Sequence, residues 1–139
     1  MQLACPACTT RNRVPDERLA DDPVCGKCGA DLAAPTPFAL TDATLGPYLA
    51  GTDPPVVVDY WAPWCGPCRQ MAPQYAAAAA RLPGVRFAKV DTDASPQASA
   101  QAGIQGIPTM VLYRGGRELA RRSGALPASA IADWIRQAT

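Results

Sequence analysis

The apolar residues of the chain fall into short continuous runs and one long stretch rich in alanine. Val56-Val57-Val58, followed by Tyr60 and Trp61, combines β-branched and aromatic residues, which is typical of a buried strand. The stretch from Arg69 to Leu82 contains five consecutive alanines, and alanine has the highest helix propensity. The pattern therefore predicts a strand over 55–60 and a helix over about 66–82.

The chain from residue 38 onward predicts further strands and helices in alternation. Phe38-Ala39-Leu40 predicts a short strand, and either Thr41 or Asp42 could cap a helix that runs through Leu49. The later predictions, in chain order, are a strand over 85–90, a helix over 95–102, a hairpin of strands 108–113 and 117–123, and a helix over 128–137. Alternating strands and helices that close with a hairpin and a helix predict an α/β domain with a mixed sheet.

The first 34 residues follow a different pattern, in which cysteines rather than apolar residues recur. They contain two Cys-x-x-Cys pairs separated by sixteen residues: Cys5, Cys8, Cys25 and Cys28. This spacing is expected of a four-cysteine zinc site, in which each pair directs two sulfurs at one metal ion. The segment has few large apolar residues, so a metal would have to supply its folding free energy. We therefore predict one zinc ion held by a module over residues 1–34.

Two alternatives remain open for these four cysteines. They could be free or joined in disulfides, or they could form a redox switch that releases zinc on oxidation.

Arg11 and Arg13 interrupt the start of the chain, so we expect no signal peptide, and no apolar run is long enough to predict a membrane span. In a reducing cytoplasm such cysteines are more often metal ligands or redox catalysts than disulfides.

A third Cys-x-x-Cys pair, Cys65 and Cys68, lies where the predicted central strand meets the alanine-rich helix. The first turn of a helix presents unpaired N–H groups and a partial positive charge, which stabilise a thiolate and lower its pKa. Gly66 and Pro67 between the cysteines suit a tight turn into a helix. The pair is therefore expected to open and close a disulfide with little backbone movement.

The segment Trp64-Cys65-Gly66-Pro67-Cys68 resembles, residue for residue, the active-site motif of the thioredoxin family. Other residues match the family pattern in position: the acid Asp59, the helix proline Pro73, Lys89, the segment Gly103 to Thr109, and Gly124-Ala125. The resemblance covers about residues 36–139 and implies the thioredoxin fold. Residues 1–34 resemble the zinc-binding, zinc-ribbon-like extension of the bacterial second thioredoxin class. The linker between the two units is Ala33-Ala34-Pro35-Thr36-Pro37.

The resemblance implies a role for each residue of the catalytic group. Cys65 would attack a substrate disulfide and Cys68 would resolve the mixed disulfide, with Asp59 as its base and Lys89 opposing the rise in the pKa of Asp59. Asp59 could instead be a polar residue at the end of a strand. Pro73 could kink the helix or break it.

The resemblance also implies a flat surface on which substrate proteins dock. Its predicted members are Trp64, Gly66, Pro67, Gly106, Ile107, Pro108, Gly124 and Ala125. Pro108 would follow a cis peptide bond, although an ordinary trans proline is favoured by base rates alone. Trp61 and Asp93 are expected to hold the active-site loop in shape.

Charge and composition narrow the classes of partner. The 139-residue chain has a net charge of +1, with four basic and five acidic side chains in residues 1–34 and nine basic and seven acidic ones in the rest. Neither part has the basic surface of a nucleic-acid binder. The chain has no histidine and no dinucleotide fingerprint, so we expect no bound nucleotide. The resemblance implies a cytoplasmic monomer that reduces protein disulfides and is recycled by a separate NADPH-dependent thioredoxin reductase.

Two other functions compete with this interpretation. The first is an oxidase or isomerase of the same fold, against which Gly66-Pro67 argues, because such enzymes usually place a histidine there. The second is a zinc-ribbon interaction module or redox-controlled chaperone. The intact pair Cys65 and Cys68 argues against a domain that only presents this module.

Overall fold

The computed structural model describes all 139 residues. Its elements in chain order are β1 (Gln2–Ala4), β2 (Arg11–Arg13), a 3₁₀ turn (Asp16–Arg18), β3 (Phe38–Ala39), α1 (Leu45–Ala50), β4 (Val56–Trp61), α2 (Gly66–Arg81), β5 (Arg86–Asp91), α3 (Pro96–Gln101), β6 (Thr109–Arg114), β7 (Arg117–Ser123) and α4 (Ala128–Ala138). Apart from α1, the elements predicted from residue 38 onward are present with bounds that differ by at most one residue. None of the helices combines the length and apolar character needed to cross a membrane.

Five strands form one mixed sheet, as predicted, and the structure gives their order as β3-β5-β4-β6-β7. Strand β4 lies at its centre, parallel to β5 and antiparallel to β6. Its six residues alternate between the two faces of the sheet. Val56, Val58 and Tyr60 belong to one apolar cluster with residues of α1 and α3, whereas Val57 belongs to the other with residues of α2 and α4. The helices therefore cover both faces, which is the thioredoxin fold.

Helix α2 continues without interruption through Pro73. The prediction that Pro73 could break the helix is wrong. Cys65 is the N-cap residue of α2, so the helix begins directly at the Cys-x-x-Cys pair. The end of β4 and the start of α2 thus place the two cysteines at one edge of the sheet.

The capping prediction for α1 is also wrong, since the helix begins at Leu45 and Thr44 precedes it. The side chain of Asp42 serves a different helix, because its Oδ1 accepts a hydrogen bond of 2.7 Å from the backbone N–H of Ala98 in α3. Thr41 donates its backbone N–H to the Thr44 hydroxyl at 2.8 Å. The side chains of Thr41 and Asp42 both take part in hydrogen bonds near helix ends. Asp42 caps α3 rather than α1 because α3 packs against the loop that contains Asp42.

The N-terminal module packs on the sheet domain at the end where β4 begins. Strands β1 and β2 form an antiparallel hairpin, and Ala4 of β1 enters an apolar cluster of the sheet domain. The backbone N–H of Ala4 donates to the Thr52 hydroxyl at 3.2 Å, and the N–H of Asp53 donates to the Gln2 carbonyl at 2.9 Å. The Cys65–Cys68 pair follows the other end of β4. The first and last residues of this six-residue strand are separated by about 17 Å.

Candidate active site and metal centre

Cys65 and Cys68 form a disulfide at the start of α2, with their Cα atoms 5.3 Å apart. The sulfur of Cys65 accepts a hydrogen bond of 3.2 Å from the backbone N–H of Cys68. This N–H is one of the unpaired donors of the first helical turn, so it can stabilise negative charge on the Cys65 sulfur once the disulfide opens. Cys65 is therefore the better placed of the two to become a thiolate.

The disulfide itself is shielded from solvent. Cys65 and Cys68 are both buried and form a small apolar cluster with Ala62, against which Trp61 and Ile107 pack. The exposed residues lie around the pair: Trp64 is 68% exposed, and Gly66 and Pro67 are also exposed. The exposed surface next to the buried sulfurs is therefore formed by Trp64, Gly66 and Pro67.

The segment before β6 comes close to this disulfide. The Ile107–Pro108 peptide bond is cis, and the Ile107 carbonyl oxygen lies 3.9 Å from the Cys65 sulfur. The backbone N–H of Ile107 has no hydrogen-bond partner within the protein. A free backbone donor in the residue whose carbonyl lies by the sulfur can pair with an extended peptide, as an unpaired strand edge does.

Asp59 is fully buried in the middle of β4, and neither of its carboxylate oxygens has a hydrogen-bond partner. Burial raises the pKa of Asp59 to about 7, and the positive charge of Lys89 offsets part of this rise. A carboxyl group with this pKa can exchange a proton near neutral pH. Lys89 sits opposite Asp59 in the β4–β5 register, and its Nζ lies 4.4 Å from the centroid of the Trp61 ring.

Two of the predicted docking residues, Gly124 and Ala125, follow β7 and contact the segment before β6 and helix α2. Gly124 donates its backbone N–H to the Pro108 carbonyl at 2.9 Å, which joins the end of β7 to the Ile107–Pro108 segment. Ala125 lines a shallow cavity of about 320 Å³ against α2. Asp93 holds the active-site loop through Trp64, whose indole N–H donates to it at 2.8 Å, while Trp61 makes its own contact with Lys89.

The four remaining cysteines converge in the N-terminal module and form no disulfide. Their sulfurs all lie within 4.8 Å of one another. The Cys5 and Cys28 sulfurs are 3.5 Å apart, and the Cys8 and Cys25 sulfurs are 3.7 Å apart. A tetrahedral zinc ion with Zn–S bonds of about 2.3 Å requires sulfurs about 3.8 Å apart. The cluster therefore fits a single zinc ion, and the disulfide alternative does not describe it.

Hydrogen-bond donors favour a thiolate at Cys25, whereas at Cys28 the Ala30 backbone lowers the pKa of the thiol less than the Cys5 sulfur and burial together raise it. The N–H groups of Ala7 and Lys27 donate to the sulfurs of Cys5 and Cys25 at 3.4 Å each. The backbone N–H groups of Cys28 and Lys27 lower the pKa of the Cys25 thiol to about 6. Since zinc binds thiolates, these donors match the requirement of the metal.

Sequence reasoning missed Asn12, which orients one half of the cluster. Its side-chain N–H lies 3.5 Å from the Cys25 sulfur, and its Oδ1 accepts the N–H of Gly26 at 3.0 Å. An asparagine on a short hairpin strand has no motif of its own. Only the pairing of β1 with β2 brings Asn12 to the second Cys-x-x-Cys pair, so the sequence carried no signal for it.

Comparison with known proteins gives a matching family model for the N-terminal module and another for the sheet domain. A family model described as "Thioredoxin" matches residues 36–137, and one described as "Thioredoxin 2, N-terminal" matches residues 4–30. Thioredoxin C-3 of Corynebacterium nephridii is 42% identical over 137 residues, which span 99% of this chain and 94% of that protein. Thioredoxin 1 of a Nostoc species is 38% identical over 99 residues, 70% of this chain and 92% of that protein. Putative thioredoxin 2 of Streptomyces coelicolor is 45% identical over 83 residues, 60% of this chain and 62% of that protein.

Proposed function

This chain belongs to the thioredoxin family and is a thiol–disulfide oxidoreductase with a redox-active pair, Cys65 and Cys68; we propose that it acts as a protein-disulfide reductase. The observation that carries the proposal is the position of the Cys65 sulfur. It accepts a helix N-terminal N–H and lies 3.9 Å from the carbonyl of Ile107, a residue whose own backbone N–H is free. One sulfur is thus placed both to become a nucleophile and to meet an extended peptide.

The reaction we propose has two exchange steps. The Cys65 thiolate attacks one sulfur of the substrate disulfide, an S–S bond forms between enzyme and substrate, and the other substrate sulfur leaves as a thiolate. Cys68 then loses its proton and attacks the Cys65 sulfur, which releases the second substrate thiolate and leaves the Cys65–Cys68 disulfide. The substrate gains two electrons and the enzyme loses two. Asp59 is the base we propose for the Cys68 proton, since its raised pKa lies near neutral pH.

The oxidised pair must be reduced again for turnover. We propose that a separate NADPH-dependent thioredoxin reductase supplies the two electrons. Lys89 would keep the pKa of Asp59 from rising further, because its positive charge favours the carboxylate. Substrate proteins would dock on the surface defined above by Trp64, Gly66, Pro67, Gly106, Ile107, Pro108, Gly124 and Ala125.

We propose that residues 1–34 form a zinc-binding module and residues 36–139 the catalytic domain. Zinc supplies folding free energy when it is bound by Cys5, Cys8, Cys25 and Cys28. The module packs at the end of β4 away from the disulfide, so we infer that its sulfurs take no part in the exchange steps. Four unpaired cysteines favour a reducing compartment, and we infer a monomer that works in the cytoplasm.

The reduction potential of the Cys65–Cys68 pair tests this proposal directly. It should be measured in the zinc-loaded full chain by equilibration with glutathione buffers. A value near about −270 mV, as in thioredoxin, supports a reductase, since such a dithiol donates electrons to most protein disulfides. A value between about −180 and −120 mV would instead assign the chain to the oxidases or isomerases of this fold.

A further inference from the structure

Strand β7 forms one edge of the sheet, and six of its seven residues are exposed. Exposed polar side chains usually contribute little to a fold. Two of them, Arg121 and Ser123, nevertheless make hydrogen bonds that connect β7 to a single segment before β6, Arg121 directly and Ser123 through Thr109. This segment, residues 102–108, is called here the 102–108 loop, and it carries the Ile107 carbonyl that faces the Cys65 sulfur.

Ser123 reaches the loop through Thr109. The two residues are register partners in β7 and β6, and their hydroxyl oxygens lie 2.9 Å apart. Thr109 is 3% exposed and donates its hydroxyl to the Gly106 carbonyl at 2.6 Å. Because a hydroxyl carries a single proton, the Ser123 hydroxyl must be the donor to Thr109. A chain of two hydrogen bonds therefore runs from Ser123 to the residue before Ile107.

Arg121 holds the other end of the loop. Its guanidinium donates to the Ala102 carbonyl at 2.7 Å and lies 3.5 Å from the Gly103 carbonyl. Glu118 fixes this guanidinium with two hydrogen bonds of 2.7 Å. A bidentate Arg–carboxylate pair has a defined geometry, so Arg121 can hold a backbone carbonyl in place despite its partial exposure.

We propose that Ser123 and Arg121 are positioning residues for protein substrates, an inference that rests on the function proposed above. They fix the 102–108 loop before a substrate arrives, so that the free N–H of Ile107 is already oriented to pair with the peptide beside a substrate disulfide. A pre-ordered partner loses less conformational entropy on binding. The two residues do not contact the cysteines, so they should affect the binding of proteins and leave the chemistry of Cys65 unchanged.

The test compares two disulfide substrates in the zinc-loaded full chain. Insulin offers a peptide backbone, whereas bis(2-hydroxyethyl) disulfide does not. Ser123→Ala should raise the KM for insulin about three- to tenfold, the range of one lost hydrogen bond, with kcat within about twofold. The rate at which prereduced protein reduces the small disulfide should stay within about twofold, as measured by alkylation and peptide mass. Arg121→Gln should also raise the KM for insulin.

Matched variants separate positioning from general damage. Ser123→Thr keeps the hydroxyl and should restore the wild-type KM, and Arg122→Gln alters the neighbouring β7 residue, which makes no side-chain hydrogen bond. Hydrogen exchange at Gly124, whose backbone N–H donates to the Pro108 carbonyl, should quicken in Ser123→Ala and not in Arg122→Gln. An unchanged KM, or an equal loss on both substrates, overturns the inference while the reductase proposal stands. A wild-type protein that fails to reduce insulin overturns both.

Discussion

Asp59 and Lys89 occupy paired positions on the neighbouring parallel strands β4 and β5, yet their charged groups form no ion pair. The Lys89 ammonium lies over the Trp61 ring instead, 4.4 Å from its centroid. Both carboxylate oxygens of Asp59 are left without a hydrogen-bond partner. The long-range attraction of Lys89 lowers the pKa of Asp59 less than burial raises it, which leaves the carboxyl group titrating near neutral pH.

Asp59→Asn should remove a pH dependence of stability from the oxidised protein. The pKa of Asp59 rises from 3.8 in a solvated carboxyl group to about 7 in the fold. The folded state therefore holds the proton more tightly, so its stability is greatest below about pH 4 and is lost as the pH rises through 7. The full difference corresponds to about 4 kcal/mol as an upper bound. The free energy of unfolding in urea, measured from pH 5 to 9, should fall in wild type and stay flatter in Asp59→Asn.

Asp133→Asn provides the control for this series. Asp133 is an exposed carboxylate on α4 whose only partner is Arg136 at 3.4 Å, and such surface pairs contribute little. Its pH profile should follow wild type. Parallel curves for wild type and Asp59→Asn would show that Asp59 titrates like a solvated carboxyl group and would remove the reason for making it the base.

Replacing each redox cysteine separately should distinguish nucleophile from resolving thiol. Cys65→Ser should abolish disulfide reduction, because the sulfur that accepts the Cys68 N–H is lost. Cys68→Ser should still attack a substrate through Cys65 and then accumulate the mixed disulfide. Non-reducing gels and mass spectrometry of the trapped species give the measurement. Mixed disulfides that form through Cys68 in the Cys65→Ser protein would reverse the assignment of roles.

Local patterns predicted most of the sheet domain, and the failures occurred where a distant residue completed a local structure. The strand at 56–61 and the helix at 66–81 followed from apolar runs and alanine content. Helix caps did not, because Asp42 caps α3 through Ala98 and Gln74 of α2 accepts the N–H of Ala128 at the start of α4. Both partners are more than fifty residues away in sequence. Propensity at a helix end carries no information about such contacts.

The sequence likewise predicted some residues of the candidate site and not others. Spacing alone located Cys65, Cys68 and the four-cysteine cluster, because two residues between cysteines fix their geometry. The sequence did not indicate Asn12 or Ser123, since each acts through strand pairing that only the fold defines. Nor did it indicate where the module packs, which depends on backbone hydrogen bonds between β1 and residues 52–53.

Zinc removal should unfold residues 1–34 and leave the sheet domain folded. The module's own apolar cluster has five buried residues, and two of them, Cys5 and Cys25, are candidate zinc ligands. Little else can hold its hairpins together without metal. Elemental analysis should give one zinc per chain, and amide exchange after chelation should become fast before residue 35 and stay slow in β4 and β5. Slow exchange throughout the chelated module would contradict a structural zinc site.

Gly51→Ala should weaken the packing of the module on the sheet domain. Gly51 ends α1 beneath the hairpin, and a Cβ there would lie 3.2 Å from the Ala4 Cβ and 3.0 Å from the Arg11 side chain. Arg11 can move aside, but Ala4 is fully buried, so the added methyl group must push β1 away from the domain. Overpacking of this kind destabilises by about 1–3 kcal/mol.

Gly46→Ala is the matched control, because it adds the same methyl group in α1 at a position with no atom within 4 Å. Alanine favours helix over glycine by up to about 1 kcal/mol, whereas Pro47 disfavours helical backbone at a preceding residue that carries a Cβ, so this variant should stay within about 1 kcal/mol of wild type. Urea unfolding of both zinc-loaded variants gives the stabilities, and trypsin cleavage at Arg11 and Arg13 reports whether the module has loosened. If Gly51→Ala matches Gly46→Ala in both measurements, β1 does not pack on the end of α1 in solution.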